Sequence, residues 1–156
     1  MAANPKVHLP PPTGVPDKTP DTQLTQETYL GYTYLEENQF AYVGNSSFTP
    51  DGTATYKFPS GLPEDFFALA GTWKSGSEAL TAGTGAQIEL SFTADDVYLV
   101  LGGTGTLDVS VNGRHTKSIA VSGIPRLCTL VHGPYQISTL TLTASPGVQA
   151  YDFTFG

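Results

Sequence analysis

The stretch from Ala86 to Leu101, AQIELSFTADDVYLVL, constrains the fold more than any other part of the chain. Ala86, Ile88, Leu90 and Phe92 alternate with Gln87, Glu89 and Ser91, the period of two that a half-buried strand imposes. Thr93, Ala94, Asp95 and Asp96 interrupt this pattern with turn-forming residues. Val97, Leu99 and Leu101 restart it, with Tyr98 and Val100 on the other face. Two strands joined by a short polar turn predict an antiparallel pair on which other strands can pack.

The same period recurs along the chain. Ala54, Tyr56 and Phe58 alternate with Thr53, Thr55 and Lys57, and Phe66 to Lys74 reads as a long apolar strand carrying the only tryptophan, Trp73. Glu78 to Leu80 reads as a short strand, and Gly102, Gly103 and Gly105 as a loop. Leu107, Val109 and Val111 lead into Asn112-Gly113, the strongest short hairpin signal, because both central residues of a type I′ turn need positive φ. The return strand, Arg114 to Val121, is expected near an edge and is expected to break at Gly123-Ile124-Pro125. Strands at Leu127–Val131, Ile137–Thr143 and Tyr151–Phe155 complete the set, and no amphipathic helix is expected. Glu27 to Glu36, rich in tyrosine, is expected as an anchor or short edge strand that Gln39 to Val43 could extend. About nine or ten short strands without helical crossovers predict an all-β antiparallel β-sandwich, in jelly-roll form. An immunoglobulin-type sandwich fits less well, since paired cysteines are missing.

Residues 1–26 hold six of the twelve prolines and read as a Pro-rich linker before a single domain at 27–156. Such a start predicts a domain excised from a longer protein. Fourteen Asp and Glu against seven Lys and Arg leave a net charge of −7, which argues against nucleic acid and against an anionic membrane surface. No apolar run approaches the roughly 20 residues of a bilayer span, so membrane insertion by this segment is not expected. The N-terminus has no signal-peptide core. Cys128 is the single cysteine, which excludes an internal disulfide and a CxxC redox pair. Its apolar setting, Leu127 to Val131, predicts a buried, inert thiol.

Four pieces in order, ETYLGY at Glu27–Tyr32, LAGTW at Leu69–Trp73, SFTADDVYLVLG at Ser91–Gly102 and PGVQAYDFTFG at Pro146–Gly156, carry a family resemblance together with the VNG and PRL steps between them. The chain resembles the C-terminal domain of the DipZ-type thioredoxin-family proteins of bacteria. In those proteins a thioredoxin-like domain, often behind a membrane-embedded thiol-reductant segment, precedes a jelly roll like those of carbohydrate-binding modules. The resemblance implies an extracytoplasmic setting and no redox activity in this chain. It also implies two partners to weigh: a cell-envelope glycan, and the thioredoxin domain of the parent chain.

A sugar site needs an exposed aromatic face to cover ring C–H groups, with polar side chains around it for the hydroxyls. Trp73, Tyr98, Asn112, Arg126, His132 and Tyr135 are the candidate ligand-binding residues. Strict alternation with Phe67 and Leu69 gives Trp73 a competing reading as core, Tyr98 has one as packing under the N-terminal segment, and Arg126 and His132 have one as ordinary loop contacts. Catalytic signals are poor: there is no GxSxG elbow, the three histidines are scattered, and Asp95-Asp96 is explained as turn chemistry. The GGTGT run lacks the lysine of a phosphate loop. Asp51, Asp95 and Asp96 are too sparse to suggest a calcium site, so neither a metal nor a cofactor is expected. The expectation is a non-catalytic carbohydrate-binding-module-like accessory domain, with a structural or protein-interaction module as the alternative.

Overall fold

A computed structural model describes residues 23–156; most of the proline-rich stretch, up to Thr22, lies outside the described residues. The described elements, in order, are β1 (Thr28–Tyr29), α1 (Tyr32–Glu37), β2 (Gly52–Tyr56), β3 (Phe67–Ser75), β4 (Leu80–Ala82), β5 (Gln87–Ala94), β6 (Val97–Val111), β7 (Arg114–Val131), β8 (Gln136–Ala144) and β9 (Val148–Phe155). All strand pairings are antiparallel, in the order β1-β9-β4-β3-β5-β8-β6-β7, with β2 on β3 and a further β6–β9 pairing.

The long strands each belong to two layers. Leu80 faces Ala150 and Ile88 faces Leu142, so β4 and β5 follow β9 and β8 in one register across the turns at 83–86 and 145–147. β6 pairs with β9 through its first half and with β8 through its second. The sheet folds along a line that passes Gly71 of β3 and Gly103 of β6, both at φ +77°. A methyl group on Gly71 would overlap the Gly85 carbonyl oxygen, and one on Gly103 the Gly147 carbonyl oxygen. Only glycine permits both this backbone conformation and this approach. The two layers then face each other across one apolar cluster that includes Phe67, Trp73, Leu90, Phe92, Leu99, Leu101, Val109, Leu142 and Phe153. This is the β-sandwich expected from the alternation.

Several expectations are corrected by the structure. β5 and β6 do not pair with each other; β5 lies between β3 and β8, and β6 lies beside β7, β8 and β9. A two-residue hairpin turn needs positive φ, which neither Asp95 nor Asp96 adopts. Their backbone N–H groups instead donate to the Gly156 carbonyl, each at 2.9 Å, where the chain crosses between layers. The glycines at 102–105 are a bend inside β6 rather than a loop, and β7 runs on through Gly123-Ile124-Pro125. Pro125 is tolerated because β7 is an edge strand. The tyrosine-rich segment forms the two-residue β1 and a helix of six residues, too short to print an amphipathic period. Order reaches back before Glu27: Thr25 N–H donates to Thr93 O at 2.9 Å, and Thr25 Oγ1 accepts from Thr93 N–H at 2.8 Å. The Asn112-Gly113 turn has φ of 51° and 83°, as a type I′ hairpin requires.

Candidate functional site

β7 begins in one layer and ends in the other, so it closes one side of the sandwich by folding back on itself. The Lys117 ammonium donates to the Thr129 carbonyl at 3.1 Å and ties the two halves together. Between them lies a groove of about 330 Å³. Val111, Leu130 and Val131 form its apolar part, and Thr116, Lys117, His132 and Gln136 supply its polar part. Lys117 pairs with the buried Val109 and Arg126 with the buried Leu101. Lys117 is half-buried and lines the groove, whereas Arg126 is exposed and lies on β7 outside the lining.

Of the six residues singled out in the sequence, the structure brings only His132 into this groove. Arg126 is exposed on the neighbouring stretch of β7. Tyr135 is next to Gln136, 44% exposed, and its hydroxyl donates to the Gln23 carbonyl at 2.8 Å. Tyr98 is half-buried beside Asp96, whose charge, after burial, raises the phenol pKa above its ordinary value. Asn112 is occupied by the fold: its amide accepts from Thr139 N–H at 2.9 Å and donates to Ser138 Oγ at 3.1 Å. Trp73 cannot be a sugar platform. It is 1% exposed, and its indole N–H is shared by the Ala70 and Gln87 carbonyls at 3.0 and 3.2 Å. Alternation with Phe67 and Leu69 had this consequence, since all three point into the core. Cys128 is half-buried rather than buried, because it lies on the edge strand.

Asp96 organises one end of the groove. One of its oxygens accepts from Gly133 N–H at 3.0 Å and contacts His132 Nδ1 at 2.9 Å. The Gly133 N–H, followed by His132 and Tyr98, holds the carboxyl below the usual carboxylate range against a smaller opposing effect of burial. The contact fixes the imidazole's orientation and leaves Nε2 outward on a side chain that is 90% exposed. Among the described residues no serine or cysteine hydrogen-bonds to His132, and no three metal-ligating side chains converge. Thr116, Lys117 and Gln136 were not singled out in the sequence. The available signal was the composition of Arg114–Val131, which holds Arg114, His115, Lys117 and Arg126 and no carboxylate.

Residues 25–156 match the family described as the thioredoxin-like C-terminal domain. The chain belongs to that family. As a thioredoxin-like C-terminal domain it is 37% identical, over 158 aligned residues, to the protein DipZ of Mycobacterium bovis and to that of Mycobacterium tuberculosis. Each match covers 99% of this chain and 22% of the relative, so the domain spans about a fifth of the length of the curated relatives it matches. The resemblance read from the four sequence pieces is therefore met. Among solved structures, a family two carbohydrate esterase from Cellvibrio japonicus superposes with a TM-score of 0.53 at 16% identity, over 66% of this chain and 33% of that one. A likeness at that identity speaks to the shared sandwich fold. No helix among the described residues is long and apolar enough to cross a membrane.

Proposed function

We propose that this domain is a non-catalytic, carbohydrate-binding accessory module of a thioredoxin-family protein, and that it binds through the β7 groove. The observation that carries the reading is the composition of that groove. An apolar part made by Val111, Leu130 and Val131 suits the C–H face of a sugar ring, and Thr116, Lys117, His132 and Gln136 supply directional hydrogen bonds for its substituents. The kinship to DipZ supports an extracytoplasmic setting, where a cell-envelope glycan is the partner. Isothermal titration calorimetry of soluble envelope oligosaccharides into wild type and a His132→Ala/Gln136→Ala variant tests the reading. A saturable heat that the variant loses is expected; no heat from any oligosaccharide at millimolar concentration overturns it.

One specific observation favours a second reading. Leu24, Tyr135 and Ile137 are exposed apolar side chains near the start of the described chain. Ile137 pairs with Thr93, which Thr25 binds, and Tyr135 reaches Gln23. An apolar patch at that position suits docking against the thioredoxin domain of the parent protein. Its test is a Leu24→Ser/Ile137→Ser variant assayed for association with that domain.

A further inference from the structure

We infer that the sugar recognised at the β7 groove is acidic, carrying a carboxylate on its ring, an inference that rests on the carbohydrate reading above. No aromatic ring and no carboxylate is among the residues that line the groove, and Asp96 at its end is bound to His132 and Gly133. Carboxylates are strong acceptors for sugar hydroxyls, and aromatic faces supply most of the contact area for an uncharged ring. A groove without either is poorly equipped for a neutral glycan. What it offers is positive charge. Lys117 lines the groove, the exposed Arg126 lies on the same strand, and β7 has no Asp or Glu over eighteen residues in a chain of net charge −7.

Two acids beside this strand are engaged by other groups. Asp108 is opposite Ser118 and accepts its hydroxyl, on the face away from Val109 and Lys117. Asp96 faces His132 and is committed to it and to Gly133. Among the described residues no carboxylate pairs with Lys117 or Arg126. Lys117 uses one of its three donors on Thr129, which leaves two, and the Arg126 guanidinium retains a planar fork that fits a carboxylate with two parallel hydrogen bonds.

The test compares trigalacturonate with its fully methyl-esterified form, which has the same rings without the charge. Both are titrated into the whole chain, its Lys117→Gln variant and its Arg126→Gln variant, with the buried Trp73 reporting that each variant is folded. The acid is expected to bind the wild type about tenfold more tightly than the ester at low salt, the order of one charge-assisted hydrogen bond made in solvent. That advantage should shrink in each variant and at about 0.5 M salt, where the screening length falls to a few ångströms. Equal binding of acid and ester overturns the charge preference and leaves the carbohydrate reading standing. Binding of neither overturns both, and inorganic phosphate competing as well as trigalacturonate would reduce the site to a plain anion site and so overturn the inference.

Discussion

Replacing Gly71 by alanine tests whether the sandwich depends on the fold line. At φ +77° an L-residue costs about 1–2 kcal/mol. The added methyl also overlaps the Gly85 carbonyl, which is backbone and cannot rotate away. Relieving the overlap shifts the 83–86 turn, which is held by Thr72 N–H to Thr84 O at 3.0 Å and Gly83 N–H to Thr72 O at 2.8 Å. Loss of those two bonds adds about 1 kcal/mol each, for a total of about 3–4 kcal/mol. Gly123 is the control: its φ is +90°, but a methyl there meets open space. Its substitution carries strain alone, offset by reduced freedom of the unfolded chain, for a net cost of about 1 kcal/mol. With a urea slope of about 2 kcal/mol per molar, the midpoint should fall by about 2 M for Gly71→Ala and about 0.5 M for Gly123→Ala. Equal shifts in the two variants, read by far-ultraviolet circular dichroism, would refute the close-approach argument.

Asn112→Ala removes two side-chain hydrogen bonds and places alanine at φ 51°, so it should cost about 3 kcal/mol, and Asn112→Gly, which loses the same bonds but suits the turn, about 2 kcal/mol; thermal melts compare them. Asp152 carries a pKa pushed up to about 6 by burial and, next, by a hydrogen bond and the charge of Glu27. A raised acid stabilises the fold fully below its unfolded value near 4 and loses that contribution as pH rises through about 6. Because Asp152 is largely solvent-screened, the loss is about 1 kcal/mol, and Asp152→Asn should stabilise at pH 8 by about that amount and not at pH 4, as seen in paired urea titrations. Asp96 acts with the opposite sign: its lowered pKa contributes stability above about pH 4 that fades as pH falls further, so Asp96→Asn should flatten the acid limb of the stability profile. Trp73 emission should be blue-shifted in the native protein and unmoved by saturating oligosaccharide, since its ring faces are in the core.

The strands were legible wherever burial is one-sided. In β5, Ile88, Leu90 and Phe92 are each at most 1% exposed while Gln87, Glu89 and Ser91 are half-buried, as the alternation required. Trp73 was legible as core by the same rule. Pairing partners were less legible, because alternation reports a strand's faces and not its edges. The chain's neighbours in sequence, β5 and β6, therefore belong to different pairings, β5 between β3 and β8 and β6 beside β7, β8 and β9. Glycine signals were ambiguous for a related reason: Gly103 and Gly123 look like loop residues but serve as bends within continuous strands. The groove was least legible of all. Thr116 and Lys117 stand more than a dozen residues from Leu130 and His132, and only the fold of β7 at the corner brings them together.

Sugar binding in the β7 groove is tested most directly by amide chemical-shift mapping on the isotopically labelled domain during titration with soluble envelope oligosaccharides. Saturable shifts confined to Val111, Thr116, Lys117, Leu130 to His132 and Gln136 are expected, with Trp73 and Asn112 unmoved. Shifts centred on Leu24, Tyr135 and Ile137, or no shifts at millimolar oligosaccharide, would contradict binding in the groove.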